Sequence, residues 1–501
     1  MGSLETKFTN LAGTNDKALG FIVGLKPVLA LGPGTKTTPT VTPGTGFTNA
    51  DAGAGYVEKF ELFHVTKKTL GSQRGYIALV VLWIGFEWLH SNWELAHPWN
   101  TLGNAFANYP TLIQWYEYTG VLGGSCWILI TNVLLFILFK RIFLSKELPK
   151  TQLRLIGVIA VVMVVPSFCS AIVYANYLED ENPIEVVVVQ PNIDPYYDKF
   201  NNMTEAEQIE RIIALAKTQI SPQTQFVVAP ETALPRGSDE ADFENNYGII
   251  AIRNLIKEFP NIQFVTGIAT RITYDVSTTK PTPTARRNHD AAKWHDSFNT
   301  AILVDASATI QTYHKSKLVL GVEKMPYPKL LAPLENLALN LGGTFGSLGQ
   351  EKEAKIFTSQ KTTTAPIICY ESVFAEYTSS YVKKGANLLF IITNDGWWKD
   401  TPGYQQHLAF ARLRAIENRR SIARSANTGI SCFINQRGDV LKPTDWWQPA
   451  AIKTRLNTNS NKTFYTQHGD VIGRLSAAIS ILLLLASVVL KLKTRRTNFG
   501  R

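Results

Sequence analysis

Three residues whose side chains could share one reaction lie where apolar, strand-like segments end. Glu231 follows FVVAP, Lys315 lies in TYHKSKL, and Cys369 ends APIIC. A cysteine accepts an acyl group well only as its thiolate, so a carboxylate that takes the thiol proton is needed close by. A lysine ammonium would favour the thiolate and stabilise a tetrahedral oxyanion. The set indicates acyl transfer on a cysteine, with Glu323 and Glu371 available to orient the lysine.

Each of these residues also has an ordinary structural explanation. A lone cysteine on an apolar strand usually packs in the core, and a lysine after a strand usually faces solvent. A glutamate before a turn is often a helix cap. The chemical interpretation therefore depends on whether the fold brings the three side chains together.

The segment that carries these residues, 183–468, alternates short β-branched runs with amphipathic helices. Thr204 and Glu207 form a capping box at the start of one of the helices. Apolar strands that end in charged or reactive residues predict an α/β sandwich whose functional site lies at the carboxyl ends of the strands. The predicted strands are 184–192, 225–233, 261–269, 298–305, 309–319, 365–372, 386–395 and 430–435, and the predicted helices are 204–220, 244–259 and 403–420.

Long apolar stretches flank this segment and predict membrane-spanning helices. Residues 118–139 and 155–174 carry no charged side chain, and 471–490 contains only Arg474. At about 1.5 Å rise per residue, each stretch can cross a hydrocarbon layer of about 30 Å. Residues 76–90 form a shorter candidate, and Glu87 within it must face protein rather than lipid.

Basic residues next to these stretches predict the orientation in the membrane. Short basic flanks of membrane spans lie in the cytoplasm, which places 175–470 on the other side. The net charge of +10 is then largely a consequence of topology, and nucleic-acid binding loses its main support. The flanking residues are Lys140, Arg141, Lys146, Lys150 and Arg154 after the first span, and Lys491, Lys493, Arg495, Arg496 and Arg501 after the last.

Composition excludes several protein classes. The chain has 501 residues, 45% hydrophobic and 18% charged, which excludes a disordered or fibrous protein. Four cysteines cannot form a disulfide framework, and no CxxC pair indicates zinc. The stretch 31–55 is rich in Gly, Thr and Pro and predicts a loop or linker, so residues 1–70 remain without an assigned role.

The motifs around the three reactive residues resemble a known superfamily. PETAL (230–234), YHKSKLV (313–319) and ICYES (368–372) are similar to the Glu, Lys and Cys motifs of the nitrilase superfamily of carbon–nitrogen hydrolases. With flanking membrane spans, the chain resembles the apolipoprotein N-acyltransferase family over about residues 76–490. TNDGWW (393–398), ARLRAIENRRSIARSANTG (411–429) and HPWNTLGN (97–104) also match that family.

The resemblance implies a fold, and the pattern of the sequence divides the chain into four regions. The fold is α/β, a nitrilase-like αββα sandwich flanked by transmembrane helices. The regions are an unassigned segment 1–70, transmembrane helices in 71–182, an external catalytic domain at 183–468, and a last transmembrane helix with a basic tail at 469–501.

The resemblance also implies roles for eight residues. The two tryptophans are placed near a lipid entrance, although ordinary packing explains them equally well. The roles are general base for Glu231, oxyanion-stabilising lysine for Lys315, nucleophile for Cys369, additional essential glutamate for Glu323, supporting partner for Glu371, backbone oxyanion donor for Tyr370, and substrate contact for Trp397 and Trp398.

The implied activity is acyl transfer from a phospholipid, expected to be phosphatidylethanolamine, to the N-terminal amine of diacylglyceryl-cysteine in an apolipoprotein. It proceeds through a cysteine thioester and needs no metal, nucleotide or other cofactor. The implied location is the bacterial inner membrane, multi-pass, with the catalytic domain on the periplasmic side. Two alternatives remain: a membrane-tethered amidase that releases its acyl group to water, and an inactive lipid- or lipoprotein-binding homologue.

Overall fold

The computed structural model describes residues 63, 66–69, 71–145, 150–275, 277–288, 293–327, 347–359 and 362–499. The stretch 31–55, for which the sequence predicts a loop, lies outside these residues, as do Lys146 and Arg501 of the basic flanks.

Among the described residues, long helices precede and follow a mixed α/β region. In chain order the helices are α1 (Ser72–His90), α2 (Tyr116–Ser145), α3 (Lys150–Asn176), α4 (Glu205–Lys217), α5 (Tyr247–Glu258), α6 (Ala375–Lys383), α7 (Gly403–Asn418), α8 (Phe464–His468) and α9 (Val471–Phe499). The strands are β1 (Pro183–Gln190), β2 (Thr224–Val228), β3 (Leu234–Asp239), β4 (Gln263–Asp275), β5 (Arg286–Arg287), β6 (Lys293–Val304), β7 (Gln311–His314), β8 (Phe357–Thr358), β9 (Thr363–Ile368), β10 (Leu388–Thr393), β11 (Ile422–Ala426), β12 (Cys432–Ile434), β13 (Val440–Leu441) and β14 (Ala450–Asn457).

Three helices are long and apolar enough to cross a membrane, as the sequence predicts. The apolar segments are Tyr116–Phe143, Lys150–Asn176 and Val471–Leu492. Many large apolar side chains of α3 and α9 are exposed, which is the arrangement expected of a helix that faces lipid. In the weaker candidate, α1, Glu87 faces protein and accepts hydrogen bonds from the indole N–H of Trp83 and the backbone N–H of Leu102.

Two sheets stack face to face in the α/β region. The first has the strand order β14-β1-β2-β4-β6-β5, with β3 beside β4 and β7 beside β6, and the second has the order β13-β12-β11-β10-β9-β8. The neighbours β1, β2 and β4 run parallel, as do β9, β10 and β11. Parallel strands carry the loops after their carboxyl ends to one edge, where a site can form.

Helices cover the outer face of each sheet and complete four layers. On β1, Val187 and Val189 pack under α4 and α5, whereas Val186 and Val188 face the second sheet. The helices α6 and α7 cover the second sheet, and the rings of Phe226 and Phe390 meet between the sheets at 5.1 Å. The predicted αββα sandwich flanked by apolar helices is confirmed.

Most predicted elements are present, with boundaries that differ near the reactive residues. The capping box of Thr204 and Glu207 is present at the start of α4. The predicted strands 225–233 and 365–372 end earlier, at Val228 and Ile368, because the chain turns before Glu231 and at Cys369. The prediction for 309–319 was too long, since β7 ends at His314. The predicted helix 244–259 begins only at Tyr247, where the Asn246 side chain caps it.

Candidate active site

Glu231 lies in a tight turn at the carboxyl end of β2, three residues after this strand of the first sheet ends. The next residue, Thr232, adopts a left-handed conformation with φ of 46°. Gly267 on β4 permits this turn, because a Cβ there would lie 2.4 Å from the backbone nitrogen of Thr232. The Glu231 side chain is buried, so the fold fixes a carboxylate inside the protein at this end of the strand.

Lys315 follows β7 directly and places its ammonium between two carboxylates. Nζ lies 3.0 Å from Oε1 of Glu231 and 2.9 Å from Oε1 of Glu323, and the lysine is only 1% exposed. Burial alone would lower the pKa of Lys315. The charges of Glu231 and Glu323 outweigh burial and raise this pKa well above its ordinary value. Lys315 is therefore a permanently charged cation with little freedom to move.

Two polar residues that the sequence analysis did not single out support this ion pair. The side-chain amide of Asn299 donates to Oε1 of Glu231 at 2.8 Å and to Oε1 of Glu323 at 3.1 Å. The buried ammonium of Lys199 donates to the hydroxyl of Thr232 at 2.5 Å, and burial lowers its pKa to about 8. The signal for Asn299 was a polar side chain inside the apolar strand FNTAILV.

The surroundings of Glu231 keep it ionised. Burial would raise its pKa, but Lys315 and the amide of Asn299 outweigh burial and hold the pKa below its ordinary value. The second oxygen, Oε2, accepts the backbone N–H of Asn394 at 3.1 Å. An ionised carboxylate in a dry site is ready to accept a proton from a neighbouring acid.

Cys369 is the first residue of the short helical turn Cys369–Val373, directly after β9. Its φ of 49° lies in the left-handed region, an uncommon backbone conformation for a residue with a side chain and one often found at functional sites. Burial raises the pKa of the Cys369 thiol, the Glu231 carboxylate raises it further, and the Lys315 ammonium lowers it. The fold thus brings Glu231, Lys315 and Cys369 within electrostatic reach of one another, and together their surroundings raise the pKa of the thiol.

Glu371 contacts the backbone that carries the reactive side chains. Its Oε1 accepts the N–H of Ser316 at 2.7 Å and the hydroxyl of Tyr313 at 2.6 Å, and Oε2 accepts the N–H of Ile368 at 2.9 Å. Burial raises its pKa, and these hydrogen bonds lower it in part. Glu371 therefore links the backbone of Ser316, next to Lys315, to the backbone of Ile368, next to Cys369. Glu323, by contrast, contacts the ammonium of Lys315.

Tyr370 contacts the segment 97–104, which connects helices α1 and α2. Its hydroxyl lies 3.0 Å from Nδ1 of His97, and its ring stacks on Trp99 at 6.5 Å. The loop HPWNTLGN, noted in the sequence for its resemblance, therefore packs directly beside the cysteine turn.

The two predicted tryptophans have different surroundings. Trp398 packs against Trp99 at 5.4 Å and lies on the side of the cysteine turn. Trp397 is 47% exposed, and its ring meets Tyr196 edge-on at 5.2 Å. Only Trp398 is part of the packing around the reactive residues.

Comparison with known proteins agrees with this architecture. Residues 184–460 match the carbon–nitrogen hydrolase family, and residues 52–134 match the apolipoprotein N-acyltransferase N-terminal domain. The apolipoprotein N-acyltransferase of Chlorobaculum tepidum is 31% identical over 437 residues, covering 86% of this chain and 80% of the relative. That of Geobacter metallireducens is 27% identical over 413 residues, covering 80% and 72%.

Among solved structures, an amidase from Nesterenkonia sp. matches with a TM-score of 0.38 at 14% identity, covering 58% of this chain and 95% of the amidase. The two family matches cover the α/β region and part of the helical region before it. This chain is therefore a membrane protein of the apolipoprotein N-acyltransferase family, an N-acyltransferase with a carbon–nitrogen hydrolase domain.

Proposed function

We propose that this protein transfers an acyl chain from a phospholipid to the N-terminal amine of diacylglyceryl-cysteine in apolipoproteins, through a thioester on Cys369. The observation that carries the proposal is the buried ion pair of Glu231 and Lys315 beside a cysteine in a left-handed turn. The names of the relatives support the acceptor, since they are called apolipoprotein N-acyltransferases.

In the first step, Glu231 takes the thiol proton as the sulfur of Cys369 attacks the ester carbonyl carbon of the phospholipid. The carbonyl oxygen becomes an oxyanion, which the Lys315 ammonium and the backbone N–H of Tyr370 stabilise. When this intermediate collapses, the carbon–oxygen ester bond breaks. The lysophospholipid leaves as an alcohol that carries the proton from Glu231, and the acyl chain remains as a thioester.

In the second step, the N-terminal amine attacks the thioester carbonyl carbon. Glu231 accepts the proton that the amine loses, an amide bond forms, and the sulfur leaves and regains a proton. The burial of Glu231, Lys315 and Cys369 supports transfer over hydrolysis, because water must be kept from the thioester until the amine arrives.

The membrane geometry of the proposal follows from the apolar helices and their basic flanks. Lys140 and Arg141 end the first span, and Lys150 and Arg154 begin the next. By the positive-inside rule these residues are cytoplasmic, which puts the α/β domain on the periplasmic face of a bacterial inner membrane. Both proposed substrates are embedded in lipid, so anchoring the domain keeps the site at their level.

The test is mass spectrometry of the membrane-inserted protein after incubation with phosphatidylethanolamine vesicles. We expect an acyl adduct on Cys369 that disappears in Cys369→Ala. The matched control is Cys432→Ala, which removes a second buried cysteine from β12 and should keep the adduct. Adding an apolipoprotein should move the acyl group to its N-terminal amine.

Two results would contradict the proposal. Absence of any adduct in folded, inserted protein favours a lipid- or lipoprotein-binding role. An adduct that turns over to free fatty acid even when the apolipoprotein is present favours a hydrolase.

A further inference from the structure

The backbone carbonyl of Cys369 has two side-chain partners, both fully buried. The hydroxyl of Ser372 donates to this oxygen at 2.7 Å, and Nε2 of His407 lies 3.1 Å from it. Neither Ser372 nor His407 is assigned a role in the acyl-transfer steps, yet both lie directly behind the nucleophile. Ser372 and Nε2 of His407 are also 2.9 Å apart, so the three groups form one cluster.

A second buried ion pair fixes the orientation of His407. Its Nδ1 lies 3.0 Å from Oδ1 of Asp395, and the Arg424 guanidinium donates to Oδ2 at 2.6 Å. Burial would raise the pKa of Asp395, but Arg424 and His407 outweigh burial and hold it well below its ordinary value. Because an ionised carboxylate only accepts hydrogen bonds, Nδ1 is the donor in this contact, and Nε2 donates to the Cys369 carbonyl when the ring also carries its second proton. The ring therefore has one side held by Asp395 and the other directed at the Cys369 carbonyl.

Aromatic rings close the space around His407. Trp99, from the loop of the helical part, lies over the imidazole at 6.0 Å, and Trp398 meets it edge-on at 5.2 Å. The imidazole is thus confined by two rings, a carboxylate and a carbonyl, and it has little freedom to turn away.

The carbonyl of Cys369 and the N–H of Tyr370 belong to the same peptide group. A trans peptide is planar, and its C=O and N–H point in opposite directions. Any group that fixes the carbonyl therefore also fixes the direction of the Tyr370 N–H. That N–H lies in the first turn of a helical segment, where N–H groups have no partner within the helix. Hydrogen bonds to this carbonyl, from the Ser372 hydroxyl and from a protonated Nε2 of His407, also polarise the peptide and strengthen its N–H as a donor.

We propose that His407 and Ser372 are positioning residues that hold the Cys369–Tyr370 peptide and thereby aim the Tyr370 N–H at the oxyanion. The inference rests on the proposed function, because it takes Cys369 as the nucleophile and the Tyr370 N–H as an oxyanion donor. His407 is not the proton acceptor for the thiol in this arrangement, since its two ring nitrogens face Asp395 and the peptide carbonyl.

The experiment compares two reactions of Cys369 that differ in their need for an oxyanion donor. Acylation by p-nitrophenyl butyrate passes through a tetrahedral oxyanion, whereas alkylation by iodoacetamide needs only the thiolate. The full-length, membrane-inserted protein is used for both, and each rate is followed by intact-protein mass spectrometry. The variants are Ser372→Ala, His407→Ala and His407→Gln, the last of which keeps an N–H donor near the position of Nε2.

We expect acylation to slow about tenfold in Ser372→Ala and about a hundredfold in His407→Ala, with alkylation within about twofold of the unmodified protein. His407→Gln should recover part of the loss. The control is Thr364→Val, on the strand that leads to Cys369, since this buried hydroxyl has no hydrogen-bond partner among the described residues. It should leave both rates unchanged.

The inference is overturned if acylation is unchanged in Ser372→Ala and in the His407 variants that fold, or if both reactions slow together. Ser372→Ala removes only one oxygen atom, so it decides the question even where His407→Ala fails to fold. A protein that reacts with p-nitrophenyl butyrate in the expected pattern but not with phosphatidylethanolamine vesicles would refute the proposed acyl donor alone. A protein whose Cys369 reacts with neither ester would overturn both proposals.

Discussion

Replacing Glu231 with glutamine removes the proposed base and changes the site's shape very little. In Glu231→Gln, one oxygen can still accept the Lys315 ammonium and the Asn299 amide, which lie 3.0 Å and 2.8 Å from Oε1. The new NH₂ group then faces the backbone N–H of Asn394, which now contacts Oε2. Lys315 keeps Glu323 as its counter-charge, so no buried ammonium is left without a partner.

The expected losses follow from these contacts. One hydrogen bond becomes a contact between two donors, which costs about 1–3 kcal/mol of folding free energy. That loss lowers the melting temperature without unfolding most domains of this size. Loss of a positioned general base slows a reaction by about 10²–10⁴-fold, or about 3–5 kcal/mol in the activation barrier. We therefore expect a folded protein whose Cys369 acylates about a thousandfold more slowly.

The assay is the rate of thioester formation on Cys369, measured between pH 7 and 9.5. Burial raises the pKa of this thiol. Without the base, Cys369 in Glu231→Gln becomes a thiolate only when hydroxide from solution removes its proton. Its rate should rise about tenfold per pH unit. In the unmodified protein Glu231 takes the proton inside the site, so the rate should be nearly flat over the same range. The control Glu258→Gln changes an exposed carboxylate that pairs with Lys217 and should behave as the unmodified protein does.

The role of Glu231 as base is refuted if Glu231→Gln acylates at the original rate, or if the two proteins show the same dependence on pH. A slow variant with a flat pH profile would also count against it, because some other group would then be accepting the thiol proton.

Two further predictions concern the carboxylates of Glu323 and Glu417. Glu323→Gln removes one of the two negative charges beside the Lys315 ammonium. We expect acylation of Cys369 to slow about tenfold and the stability measured by thermal unfolding to fall by about 1–2 kcal/mol. An unchanged acylation rate would contradict a role for Glu323 in the reaction. Burial, with a contribution from the Asp470 carboxylate, raises the pKa of Glu417 to about 7, although Arg414 lowers it in part. Glu417 binds its proton more tightly when folded, so stability should fall as pH rises from about 4.5 to 7, by about 3 kcal/mol at most. Glu417→Gln should flatten this part of the melting-temperature profile, and an unaltered profile would exclude Glu417 as its source.

The sequence predicts the layers and the spans well because these are local properties. The length and apolarity of a segment decide whether it can cross a membrane, and all three predicted spans are apolar helices of sufficient length. Alternation of β-branched runs with amphipathic helices likewise determines most strands and helices of the sandwich. The errors fall at element ends, such as β2 and β9, where the chain turns to present Glu231 and Cys369.

The motifs around Glu231, Lys315 and Cys369 can also be recognised in the sequence, since each lies at the end of a strand-like run. Spacing along the chain does not give their surroundings. Asn299 reaches Glu231 across 68 positions of sequence, and Glu371 reaches the N–H of Ser316 across 55. Such contacts depend on which strands are neighbours in a sheet and on how the two sheets stack.

The amino-acid sequence by itself determined that this chain has apolar helices of spanning length and an α/β region with a glutamate, a lysine and a cysteine at strand ends. Tertiary structure alone decided that these side chains share one buried edge, that Asn299 holds the carboxylates, and that His407 lies behind the cysteine carbonyl. The physical reason is that hydrophobic periodicity reports which face of an element is buried. It does not report which distant polar group completes a hydrogen bond there.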